Sequence, residues 1–265
     1  MRVFYLGNNR LGWQVLNWLK DEGEQIVALA LHPEGRRKFA KRMIAASGLT
    51  SEHIFDASQL NRRSTLRAIA NLKPDIAVSV LLGYILRPEL LDLPPAGCIN
   101  VHPALLPYNA GAHPNVWSIV QGTPAGVTIH YMDESIDTGD LIAQSPVPVE
   151  PVDTGETLHH KLERAALALF QQTWPSIRRQ TARRVAQPTA HGTCHRVDHL
   201  RQIDEIDLDR TYRAGELIDI LRARTFPPYP GAYFRLGGRK IHMRLDLCYE
   251  EDLPTPETKD EPHEN

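Results

Sequence analysis

Residues 3–31, VFYLGNNRLGWQVLNWLKDEGEQIVALAL, decide the fold class. The opening run VFYLG and the closing run QIVALAL are continuously apolar, the pattern of strands buried on both faces rather than of strands with one wet side. Between them, Leu11, Val15, Leu16 and Leu19 recur at the spacing of one helix face. Strand, helix and strand in so short a stretch form a crossover unit, which requires its two strands to lie parallel.

Working outward, the rhythm repeats: a basic helix near Arg36 to Ala46, the helical STLRAIANLK, the buried run IAVSVLL, then CINVH, the helix candidate HPNVWSIVQG and GVTIHYM. LIAQSPVPVE alternates as a strand. TLHHKLERAALALFQQTWPSIRRQTARR holds helical spacing over several turns, opened by Thr154 with Glu156 nearby. This predicts an α/β protein with a Rossmann-like, mostly parallel sheet carrying helices on both faces. After the polar break Gln187 to Thr193 the character changes to DHLRQIDEIDL, the short helix GELIDILRART, the turn-rich FPPYPG and AYFRLGGRKIHMRLDL. Gly237 and Gly238 between two alternating runs predict a two-residue hairpin, since both positions tolerate positive φ. The expected organisation is a catalytic domain over residues 1–185, a small C-terminal α+β unit with a β-hairpin over 186–250, and a disordered acidic tail over 251–265.

The 265 residues, 42% hydrophobic and 23% charged, suit a globular chain, and a formal net charge of -2 gives no field that would favour nucleic acid or a membrane surface. The first residues contain no apolar run of spanning or signal-peptide length. Cys98, Cys194 and Cys248 are too scattered for a disulfide framework, so a cytoplasmic, reducing setting is expected.

Polar side chains at the end of a parallel strand face a crevice more often than a core. Asn100 and His102 end the run CINVH, and strand periodicity points both to one face. A neutral amide donor and a group that exchanges protons near neutral pH together suit acyl transfer to an amine. In MDESIDTGDLI, Asp133, Asp137 and Asp140 fall in a turn between strands; Asp137, between Ile136 and the Thr138–Gly139 turn, is the expected partner of His102, raising its pKa and fixing its tautomer. Taken singly, each of the three residues is more often a structural turn or strand-end residue than a catalytic one.

The combination N-x-H followed by LLP and Gly111, then GVTIHYMDESIDTGDLI, resembles the folate-dependent formyltransferase family over about residues 1 to 180. The resemblance implies Asn100, His102 and Asp137 as the catalytic set and N10-formyltetrahydrofolate as formyl donor. It further implies that main-chain groups of Leu82, Gly83, Tyr84, Ile85 and Leu86 line the pterin pocket, with the Asp133–Asp140 loop as its other wall. Read from residues alone, LLGYILRPELL fits a plain buried strand followed by a helix start at Pro88 better, so the pterin assignment rests on the resemblance.

Among the acceptors used by such enzymes, LRARTFPPYPGAYFRLGGRKI and PYNAGAHPNVW resemble the sugar N-formyltransferases, which implies a nucleoside-diphosphate-linked amino deoxy sugar. The alternatives are methionyl-tRNA, glycinamide ribonucleotide, or a non-catalytic binding protein of the same fold. A tRNA enzyme calls for a longer, basic C-terminal domain, whereas this chain ends in acid. Gly7, Asn8, Asn9 and Arg10, between a strand and a helix, fit either a phosphate subsite or a tight turn. His113 and Asn115 open the next helix and face either the acceptor or that helix's own end. HGTCHRVDH offers His191, Cys194, His195 and His199, but without the paired spacing of a structural zinc site, so no metal is expected. His130, His159 and His160 read as surface or partly buried residues. The aromatic hairpin predicts a homodimer through the C-terminal region, or packing of Tyr233 and Phe234 on the long helix.

Overall fold

The computed structural model describes residues 1–188 and 192–253. Its strands are β1 (Arg2–Gly7), β2 (Gln25–Leu31), β3 (Ile54–Asp56), β4 (Ile76–Val80), β5 (Cys98–His102), β6 (Ala110–Gly111), β7 (Ala125–Tyr131), β8 (Leu141–Val147), β9 (Cys194–His195), β10 (Tyr233–Leu236) and β11 (Arg239–His242). Its helices are α1 (Asn9–Asp21), α2 (Ala40–Ser47), α3 (Arg63–Asn71), α4 (Pro88–Leu91), α5 (Pro114–Val120), α6 (Gly155–Arg178), α7 (Arg201–Asp204) and α8 (Ala214–Arg224).

Seven strands form one sheet in the order β3-β2-β1-β4-β5-β7-β8. The first five run parallel, while β7 and β8 join antiparallel and so end the crossover pattern. Alternation along β1 sends Val3 and Tyr5 into one apolar cluster with α1, α5 and α6, and Phe4 and Leu6 into another with Ile69 of α3 and Leu90 of α4. The sheet is therefore buried on both faces, as its unbroken apolar runs require.

Helix α6 closes the first of these clusters. Thr154 caps it through a reciprocal pair of bonds with Thr157, which satisfies donors that would otherwise be orphaned at the helix start. Near its far end, Trp174 Nε1 donates to the buried Glu24 carboxylate at 3.0 Å, and Arg178 Nε lies 3.3 Å from the same oxygen. The basic segment after β2 is shorter as a helix than the sequence suggests: α2 starts only at Ala40, because Phe39 takes a left-handed conformation at φ 59°.

At the C-terminal end, α8 packs against α5 and α6, while Ile206, Ile220 and Ala232 make a small core of their own. Gly237 and Gly238 turn the β10–β11 hairpin with φ of 56° and 75°. Phe234 packs into the small core, and Tyr233 Oη donates to Glu205 at 2.7 Å. Among the described residues no helix is long and apolar enough to cross a membrane. The tail beyond residue 253 lies outside the described residues.

Candidate active site

The site forms where the parallel strands β4 and β5 end and the antiparallel pair begins. Pairing of β5 with β7 sets Asn100 opposite His130 and His102 opposite Thr128. The turn between β7 and β8 folds back over that face, with Asp137 at its tip in a left-handed conformation, φ 55°. Gly139 makes the fold-back possible: a Cβ there would stand 2.0 Å from the Tyr131 carbonyl oxygen.

Asn100, His102 and Asp137 meet. Asn100 Nδ2 donates to Asp137 Oδ1 at 3.3 Å, and His102 Nε2 lies 3.5 Å from Asp137 Oδ2. The Gly111 amide donates to Oδ2 at 2.8 Å. Burial would raise the Asp137 carboxyl, but His102, His130 and the Gly111 amide outweigh it and hold the group well below the usual carboxylate range.

Two expectations need correction. The first concerns His102, which the sequence reading makes more basic through Asp137. It is almost wholly buried, and that loss of solvation pushes its pKa below the ordinary value despite the pull of Asp137. The imidazole is thus neutral near pH 7, and its buried Nε2 has no hydrogen-bond partner among the described residues. A neutral ring with a free nitrogen beside a carboxylate is ready to accept a proton.

The second concerns His130, read as a surface or partly buried residue. It is 1% exposed, its Nε2 lies 3.3 Å from Asn100 Nδ2 and 3.4 Å from Asp137 Oδ1, and its Nδ1 meets the Tyr131 carbonyl at 2.8 Å. Its signal in the sequence is period two: in GVTIHYM it shares a strand face with Thr128, and the antiparallel register turns that face to Asn100 and His102. Asn100 Nδ2 carries two hydrogens, so one reaches Asp137 and the other is left for His130 or for a substrate oxygen.

A family model for formyl transferase matches residues 1–173, and one for the N-formyltransferase dimerization C-terminal domain matches residues 199–249. The chain belongs to the formyl transferase family. This enzyme is 31% identical over 249 residues to the methionyl-tRNA formyltransferase of Bacillus subtilis, an alignment covering 91% of this chain and 77% of the relative. A solved 4-N formyltransferase from Francisella tularensis is 28% identical, with a TM-score of 0.80 and coverage of 94% of this chain and 98% of that one. A formyltransferase from Anoxybacillus kamchatkensis, solved in complex with UDP-4,6-dideoxy-4-formamido-L-AltNAc and tetrahydrofolate, is 26% identical at a TM-score of 0.58, with coverage of 76% and 89%.

The other residues predicted for the formyltransferase site have neighbours of their own. Leu82 and Leu86 turn their side chains into the core, Ile85 is 63% exposed, and Gly83 has φ 70° with open space beside it. Tyr84 stands edge-on to His32, whose ring centre is 5.3 Å away. Asp133 accepts from Thr138 Oγ1 and Ser135 N inside its own turn, and Asp140 pairs with Arg184 at 3.2 Å on the rim.

In the first loop, the Asn8 main-chain amide is spent on the Val80 carbonyl and its Oδ1 accepts from Lys38 N, while Asn9 keeps a buried Oδ1 without a partner among the described residues. Gly7 fits tightly over Tyr5, and Arg10 is exposed. His113 stands exposed at the start of α5 and makes no capping bond. Asn115 is buried and donates to the Gly155 carbonyl at 2.7 Å, fastening α5 to the start of α6. Of the histidine–cysteine segment, His191 lies outside the described residues. His195 stacks on Trp117 with ring centres 4.1 Å apart, and His199 Nδ1 accepts from Arg196 N.

Proposed function

We propose that this enzyme transfers the formyl group of N10-formyltetrahydrofolate to the amine of a nucleoside-diphosphate-linked amino deoxy sugar. The observation that supports the choice of acceptor is structural likeness. The fold matches the Francisella tularensis 4-N formyltransferase at a TM-score of 0.80 and 28% identity. The complex of the Anoxybacillus kamchatkensis relative with a UDP-linked formamido sugar and tetrahydrofolate supports both substrates. The residues of the Leu82–Leu86 loop fit a pterin: two leucines are withdrawn into the core, so main-chain groups and the open side of Gly83 face outward.

Bound there, the donor would supply an activated formyl carbon. In this reading Asn100 directs its free amide hydrogen at the formyl oxygen, a contact whose removal costs about 100- to 1,000-fold in rate. His102 Nε2 takes the proton that the attacking amine loses and returns it to the departing nitrogen, so the amine becomes a formamide and the donor leaves as tetrahydrofolate. Asp137 keeps the ring oriented and stabilises it while it carries that proton.

Residues 1–185 form the catalytic domain in this reading, with 186–250 as the C-terminal unit. Homodimer formation through that unit is supported by the dimerization domain matched at 199–249 and by the exposure of Leu236 and Ile241 on the hairpin. The test supplies labelled formyl donor to a panel of amino-sugar nucleotides and, in parallel, to initiator methionyl-tRNA. Label is expected in a sugar nucleotide; label in the tRNA alone would reverse the choice of acceptor.

A further inference from the structure

Between the two matched regions runs a strap of chain with no part in the chemistry described above. Arg184 to Gln187 lies along the start of β8. Val185 exchanges main-chain bonds with Leu141, at 3.0 and 2.7 Å, and Arg184 lies over the Tyr131 ring, 4.0 Å from its centre, while reaching Asp140. Gln187 then turns its side-chain amide onto the adjoining turn. Nε2 donates to the Asp137 carbonyl at 2.9 Å and to the Gly139 carbonyl at 2.7 Å, so both of its hydrogens are spent there.

That turn is not a comfortable one. Asp137 holds a left-handed backbone without being glycine, a conformation that persists only where its surroundings impose it. The Asp133–Thr138 bond ties the turn from within, but Gln187 is the residue from outside it that grips both carbonyls flanking the Thr138 position. Further along the same segment, β9 pairs with β6, and there Gly111 donates to the Asp137 carboxylate. The chain leaving the catalytic domain therefore grips the Asp137 backbone directly through Gln187, and through β9 it pairs with the strand whose Gly111 amide holds the carboxylate.

We propose that Gln187 is a positioning residue, which fixes the turn so that the Asp137 carboxylate meets His102 and Asn100. The inference rests on the reading of Asp137 as a member of the catalytic set. Displacing a positioned group by about an ångström is enough to cost on the order of 100-fold in rate, so loss of the clamp reads out in turnover rather than in substrate binding.

The test compares Gln187→Met, of similar length but without donors, with Asp137→Asn, using the formyl donor and the amine acceptor identified by the panel above. Expected for Gln187→Met is a kcat lower by about 10- to 100-fold, with KM for both substrates within about twofold. The acid limb of its kcat profile moves to lower pH, because a displaced Asp137 no longer raises the His102 imidazole. The titratable groups facing His102 are Asp137 and, from β7, His130; Asp133, Asp140 and Arg184 surround the turn. A merely structural role would lower thermal stability and leave that limb in place.

Wild-type kcat, or a fall in kcat with the limb unmoved, overturns the proposal. If Asp137→Asn is itself fully active, the site reading has failed; if it is inactive while Gln187→Met behaves as wild type, only the role of Gln187 is lost. Should Gln187→Met fail to fold, Gln187→Leu, which is uncharged and also lacks donors, is read by the same criteria.

Discussion

The main-chain amide of Gly111 donates to Asp137 Oδ2, the same oxygen that faces His102 Nε2. One backbone donor thus aims the carboxylate, which His102, His130 and that amide together hold charged, while the imidazole beside it stays neutral through burial. An anion and a neutral base in contact form a pair in which the base can take up a proton and be stabilised as it does so.

Asp137→Asn preserves the shape of that pair and removes its charge. Turnover is expected to fall by about 100-fold or more, and the unfolding midpoint to fall as well, because the ionised carboxylate is the form that stabilises the fold. Steady-state kinetics and thermal denaturation of the same preparation check both parts.

Acidification should act twice. The folded His102 has a pKa below its unfolded value of about 6.5, so below that pH the unfolded chain binds the extra proton first and stability falls. Asp137 is depressed as well: its contribution is full above an unfolded value of about 3.9 and is lost as pH drops through the folded value. Stability should therefore decline from about pH 6.5 downward, with a shallower decline in His102→Asn, as followed by unfolding at a series of pH values. The acid limb of kcat/KM should have its midpoint below about 6.5, the ordinary histidine value.

Gly111→Ala should damage both stability and catalysis. The added Cβ would stand 2.3 Å from the His195 carbonyl oxygen, and φ is 84°. The backbone strain alone costs about 1 to 3 kcal/mol. Denaturant unfolding measures that loss, and kcat should fall further than stability explains because the amide that aims Asp137 shifts with it.

The thiols should separate by burial. Burial pushes the Cys98 thiol up to about 12, with Asp92 adding to the shift, whereas Cys194 and Cys248 are exposed. A thiol reagent followed by mass spectrometry should modify Cys194 and Cys248 in the native protein and reach Cys98 only after unfolding.

Much of this was legible in the sequence, because it depends on local pattern. Continuous apolar runs separated by helix-period segments specify buried parallel strands; Gly237–Gly238 specifies a hairpin; and Asn100 with His102 two residues apart at a strand end marks one polar face of β5. Other features depend on register and distance. His130 joins the site because an antiparallel partner sets it opposite Asn100, a pairing that GVTIHYM does not reveal by itself. Asn115 finds its partner at Gly155, forty positions away, and Gln187 reaches a turn fifty positions earlier. The sign of the His102 shift was likewise beyond the sequence, which names the neighbouring charge but not the depth of burial. The sequence by itself determined which chemical groups were present and which strands would carry them. The tertiary structure decided which of those groups lost their water and which met, because solvation and contact are properties of packing and not of order along the chain.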